Sequence, residues 1–218
     1  GHMKRVATSR GLPIVFLGES SGARMPDHMG ARGMGALLGN DPTQYARMRG
    51  TPWASATLGL SYGSSSWYAV LSDFCVLRKG AVLAVSSAQL ASLAIKEEVD
   101  PQVMGGWQVH AEVTGFADYV AETDEEALQA IRTFLSYLPS HHKEAPPVHP
   151  VPEGSGARMA DIAKLLPERR TQVYDVRTII RAFVDAGSFF ELKPRFAKVA
   201  VTGLARLDGR TVGIVANN

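Results

Sequence analysis

The chain has 218 residues, 45% hydrophobic and 20% charged, a balance ordinary for a soluble globular protein and large enough for one sizeable core or one domain plus part of another. Its 23 basic and 21 acidic residues leave a formal charge of +2 spread along the sequence. No basic tract marks a nucleic-acid footprint, and no apolar run reaches the roughly 20 residues that span a bilayer.

Residues 1–3, "GHM", read as the scar of a cleaved tag followed by the encoded methionine, and are set aside from the fold. "LPIVFLGES" is an apolar, partly β-branched run that predicts a central strand covered on both faces. The turn "SSGARMPD" follows it, and "GARGMGALLG", residues 30–39, has too many glycines for a stable helix interior and reads as a loop-helix. "PWASATLGLSYGSSSWYAVLSDFCVLRKGAVLAVSS" then reads as strand, small-residue turn, helix, strand. Cys75, the single cysteine, lies in its apolar part and reads as a buried structural thiol. One cysteine excludes an intrachain disulfide and a zinc site of its own making, and fits a reduced, cytoplasmic compartment.

"SAQLASLAIKEE" has helical spacing at Leu90, Leu93 and Ile95. In "TDEEALQAIRTFLSYLP", Thr123 is placed to cap a helix, Glu126 to complete a capping box and Pro139 to stop it, with Leu128, Ile131, Leu135 and Leu138 on one apolar face. Residues 140–156, rich in proline and polar side chains, predict an extended linker whose His141, His142 and His149 are solvated and too loosely spaced for a metal. Beyond it come a short helix ending near Pro167 and a second helix with Asp175 as N-cap and Gly187 as its stop. Asp185 and Glu191 are expected to cap and bridge. Two alternating strands joined by Asp208-Gly209 close the sequence, with nothing after them to cover an apolar face and an edge at "VGIVANN" expected to pair.

Taken together, "GLPIVFLGESSGARMPD", "GLSYGSSSWYAVLSDF", "MGGWQVHAEVTGFADYVAETDEEALQAIRTFLSYLP" and the segment from "LLPERRTQVYDVRTII" to "VGIVANN" resemble the carboxyltransferase component of biotin-dependent acyl-CoA carboxylases, in family order. That family also includes sodium-pumping acyl-CoA decarboxylases. The resemblance implies an α/β, crotonase-like fold of repeated strand-strand-helix units, with two such domains in a full chain. It divides this sequence into an acyl-CoA-binding domain at 4–139, a linker and short helix at 140–170, and the beginning of a second domain at 171–218. Measured against the family, the sequence would start partway through the first domain and end just inside the second.

The implied reaction moves a carboxyl group between biotin and the carbon beside an acyl-CoA thioester, through an enolate whose oxygen gains negative charge. Backbone N–H groups at a turn entering a helix suit that charge, and small residues let the ligand approach them. The resemblance therefore assigns Gly63 and Ser64 to catalysis, and Ser21, Gly22, Ala23, Arg24, Gly105 and Gly106 to acyl-CoA binding. Without it, "SSGARMPD" reads as a plain strand-to-helix connection, and "YGSSS" as a flexible turn. Arg24 either reaches a CoA phosphate or ties the turn to a carboxylate such as Asp27. Many family members carry a second glycine where Ser64 stands; serine keeps the donor, adds a hydroxyl and narrows the allowed backbone angles.

His110 reads as a hydrogen-bonded structural histidine. Implied partners are acyl-CoA, a biotin carboxyl carrier or biotin carboxylase subunit, and further copies of the chain in a homo-oligomer. Two other readings stay open: the reverse, decarboxylating direction, and a catalytically incomplete subunit of the same fold.

Overall fold

The computed structural model describes residues 2–22, 50–169 and 171–218. Helix α1 (His2–Arg10), which begins at residues set aside as a scar, leads into β1 (Ile14–Ser20). Next come β2 (Trp53–Tyr62), α2 (Ser64–Val70), β3 (Phe74–Arg78), β4 (Val82–Ala84), α3 (Ala88–Ile95) and α4 (Pro101–Gly105). A π-helical turn at Val109–Val113 precedes β5 (Tyr119–Ala121) and α5 (Asp124–Leu135). The last part holds a 3-10 turn (Met159–Leu165), α6 (Val176–Phe183), β6 (Phe190–Leu192), β7 (Ala200–Leu207) and β8 (Arg210–Asn217).

Strands β1, β2, β3 and β5 lie side by side in one parallel sheet, and β4 joins it by pairing with β2. The short strand β3 shows why such a sheet reads as a continuous apolar run. Phe74 and Val76 point to one face with Ala54, Ala56, Ala127, Ala130, Ile131 and Phe134, while Cys75 and Leu77 point to the other with Ala69, Ala81, Leu83 and Ala111. Phe74 stacks on Phe134 at 4.5 Å, and full burial of such a ring contributes roughly 3 kcal/mol.

The second sheet, β6-β7-β8, is antiparallel. Asp208 (φ 51) and Gly209 (φ 73) form its two-residue turn, both left-handed as a type I′ hairpin requires. Val201, Ala205 and Ile214 pack beneath Ile180 and Val184, so α6, which precedes the hairpin, covers the face expected to be bare. The opposite face is also engaged: Phe190, Leu192 and Leu204 pack against the core formed with α5.

Several other expectations are corrected. Strand β1 pairs in parallel with β2, and among the described residues its Val15 and Leu17 are half exposed. Helix α5 is capped as expected, Thr123 Oγ1 accepting from the Glu126 N–H at 3.2 Å, but Glu126 Oε2 accepts from Glu122 N. Its inner face is Ala127, Ala130, Ile131 and Phe134, with Leu128 exposed, because alanines bring the helix closer to the sheet than leucines would. Leu90, Leu93 and Ile95 on α3 are likewise exposed. Helix α6 ends at Phe183, before Gly187.

The proline-rich linker is extended but not free. His142 N donates to Gly50 O at 3.0 Å, and His149 N donates to Gly209 O at 2.9 Å. His141 and His149 are only partly exposed. Segment 30–39 lies outside the described residues.

Candidate functional site

The carboxyl ends of parallel strands are where α/β sheets place their ligands, because the turns leaving them present backbone groups and helix N-termini. Here Ser20 is in register with Ser61, and Tyr62 with Ala84, so the exits of β1, β2 and β4 sit together. Ser21-Gly22 leaves the first exit and Gly63-Ser64 the second.

Both glycines have a positive φ, +105 at Gly22 and +65 at Gly63, and a Cβ on either would meet nothing within 4 Å among the described residues. A positive φ is a backbone conformation that glycine adopts without steric cost. At Gly63 ψ is −130, a combination that side chains rarely tolerate.

The donors divide unequally. Gly63 N–H is already occupied, donating to Val85 O at 3.1 Å, while Gly63 O accepts from Ser66 N and from Ser66 Oγ at 2.7 Å. Ser64, exposed and first in α2, has an N–H with no intrahelical partner. Of the Gly63-Ser64 pair it is the serine whose amide has no acceptor within its own helix. Gly22 N–H closes a small turn onto Ser20 Oγ at 3.2 Å. Ala23 and Arg24 lie outside the described residues.

Gly105 and Gly106 stand behind this end, buried against β4. A Cβ at Gly105 would fall 2.5 Å from Leu83 O, and at Gly106 2.5 Å from Gln102 O. Gly106 also bridges Val82. His110 Nε2 lies 2.8 Å from Leu83 O and its ring meets Phe116 edge-on, the structural role expected of it. These residues hold β4, and through β4 the carbonyl of Val85.

Three features went unread in the sequence. Val85 contributes a backbone oxygen, which no side-chain pattern marks. Ser61 Oγ donates to the buried Ser65 at 2.8 Å beneath the turn, pinning α2 to β2. The third is an irregularity in β2: between Gly18↔Thr57 and Ser20↔Ser61, Glu19 alone in β1 faces Leu58, Gly59 and Leu60. Such bulges re-aim a strand. Arg78, the one charge in "FCVLR", donates from Nε to Leu58 O at 2.6 Å.

Away from this end, a cleft of about 230 Å³ is lined by Asp118, Tyr119, Lys193 and Arg195. Its charges are matched internally. Lys193 Nζ donates to Gly115 O and Phe116 O and pairs with Asp118, and Arg195 pairs with Glu112. Asp118 also accepts from Cys75 N at 2.8 Å. Burial pushes the Cys75 thiol up to about 12, as befits a structural cysteine. No group of three or more His, Cys, Asp or Glu side chains among the described residues could hold a metal ion. None of the described helices is long and apolar enough to cross a membrane.

Residues 2–218 match the profile of the carboxyl transferase domain. The chain belongs to the carboxyl transferase domain family. Similar proteins include an uncharacterized carboxylase of Bacillus subtilis, 33% identical over 99% of this chain and 42% of its own. The propionyl-CoA carboxylase carboxyltransferase subunit of Haloferax mediterranei is 32% identical over 95% of this chain and 40% of its own. The methylmalonyl-CoA decarboxylase alpha subunit of Veillonella parvula is 29% identical over 99% of this chain and 42% of its own. The chain thus spans about two fifths of these relatives.

Among solved structures, transcarboxylase 12S with methylmalonyl-coenzyme A and methylmalonic acid bound superposes with a TM-score of 0.88 at 29% identity, over all of this chain and 42% of that one. The expected α/β, crotonase-like fold is the fold of this family member.

Proposed function

We propose that this chain forms the acyl-CoA half of a carboxyltransferase that moves a carboxyl group between biotin and the α carbon of a short acyl-CoA. The observation that carries the proposal is the meeting of two positive-φ glycine turns at adjacent strand exits, with the Ser64 N–H, which has no intrahelical partner, at the start of α2. When the α proton leaves, the thioester oxygen gains charge, and a fixed amide donor lowers the energy of that state more than of the neutral ester. Gly63 N–H, held by Val85, fixes the turn, while Ser64 N–H faces the ligand.

In this reading Ser21, Gly22, Ala23 and Arg24 are assigned to acyl-CoA binding, and Gly105 and Gly106 keep β4 close behind the Gly63-Ser64 turn. Residues 4–139 make the acyl-CoA domain, 140–170 a connecting segment, and 171–218 belong to a second domain. Biotin, carried on a partner domain or subunit, supplies the transferred carboxyl group. In this reading the biotin side of the site comes from other parts of the assembly, a cytoplasmic homo-oligomer.

Calorimetric titration with a series of short acyl-CoA esters tests the proposal, with Gly63→Val as control because bulk at that turn blocks approach. Micromolar binding lost in the variant supports it. Equal binding by the variant would move the acyl-CoA site elsewhere.

A further inference from the structure

Strand β2 changes partner in mid-course. Its first half, Ala54–Thr57, pairs with Phe74–Leu77 of β3, and its second half, Leu60–Tyr62, pairs with Val82–Ala84 of β4. The bulge at Leu58–Leu60 lies at the changeover. Beyond Leu77, β3 no longer pairs with β2 but remains bonded to β5 through Arg78↔Ala121. The carbonyl of Leu58 would then lack a ladder donor in a partly buried place, a cost on the order of 1–3 kcal/mol in general. Arg78 Nε takes the place of that missing rung at 2.6 Å and also stands 2.9 Å from Asp124 Oδ1 at the start of α5.

We propose that Arg78 is a positioning residue for the candidate site: by holding the Leu58 carbonyl it sets the bend of β2, and the bend delivers Gly63 to Val85 and Ser64 to the ligand. The link runs from a side chain at the end of β3, through a backbone bulge, to a turn three residues past the second half of the bulge. Its functional meaning rests on the proposed acyl-CoA site, but its structural core does not.

Backbone amide exchange on the whole chain separates the two. In Arg78→Met, exchange at Gly63 accelerates about tenfold or more while Ala54 and Ala56, in the first half of β2, keep their protection. Arg78→Lys, whose ammonium can donate to the same carbonyl, restores much of it; should the methionine variant fail to fold, Arg78→Thr, too short to reach the carbonyl and suited to a strand, is read in its place. Asp124→Asn leaves Gly63 unchanged. Unchanged exchange at Gly63 in Arg78→Met, equal acceleration throughout β2, or an equal effect of Asp124→Asn each overturns the proposal. Titration of wild type and Arg78→Met with a short acyl-CoA supplies the second arm: binding weakened in step with Gly63 exchange supports the positioning role. Absence of binding by the wild type contradicts the acyl-CoA reading, while the exchange result still decides the role of Arg78.

Discussion

The amide of Gly63 and the carbonyl of Val85 are joined by a 3.1 Å hydrogen bond across the exits of β2 and β4. That bond removes the glycine from the set of free donors and makes it a clamp. The adjacent Ser64, first in α2, carries the amide that the proposed acyl-CoA reading assigns to the ligand.

Gly105→Ala should destabilise the protein by about 1–3 kcal/mol, since overpacking forces the backbone of α4 away from β4. The contact is with Leu83 O, 2.5 Å from the added Cβ, which has no flexible end that could move aside. Urea unfolding measures the shift, and a midpoint equal to wild type would show that the two elements are not as close as described.

Asp185 is buried and accepts from both hairpin-turn amides, Asp208 N at 3.0 Å and Gly209 N at 2.7 Å. Asp185→Ala leaves two turn donors without their acceptor and should cost about 2–4 kcal/mol. Denaturant titration followed by circular dichroism checks the loss, and a change below 0.5 kcal/mol, within the ordinary range for surface substitutions, would contradict it.

Asp175 caps α6, and the hydrogen bond from Arg177 N, reinforced by the Arg177 side chain, holds its carboxyl below the usual aspartate range. A lowered folded value means that its contribution is complete above the unfolded value, about 3.9, and is lost as pH falls through the folded one. Asp175→Asn can still cap but cannot titrate. The stability gap between wild type and Asp175→Asn should therefore shrink as pH drops below about 4. A gap that stays constant from neutral to acid pH would remove the carboxylate from the account.

Local signals carried much of the fold. Asp208-Gly209 marked the hairpin, Thr123 and Asp175 marked helix starts, and the run from Trp53 to Ala84 showed its strand-turn-helix-strand order, because in each case the deciding contacts lie a few residues apart. The switch of β2 from β3 to β4 and the packing of Phe190 and Leu204 onto the first core depend on distant pairings, which no short pattern encodes. Helix α5 shows a different limit: counting large apolar residues selected Leu128, whereas small Ala127 and Ala130 face the sheet because they allow close approach.

The candidate site divides the same way. The residues of "YGSSS" showed a turn and only the resemblance singled out Gly63, while the occupation of its amide by Val85 follows from the pairing of β2 with β4, and the contact of Arg78 with Leu58 from the parting of β3 from β2.

The most direct measurement is the amide chemical-shift change of Ser64 on titration with a short acyl-CoA. A large, saturable shift is expected at Ser64, a smaller one at Gly63 and none at Val201 in the second sheet. Saturable binding that leaves the Ser64 amide unmoved would contradict it.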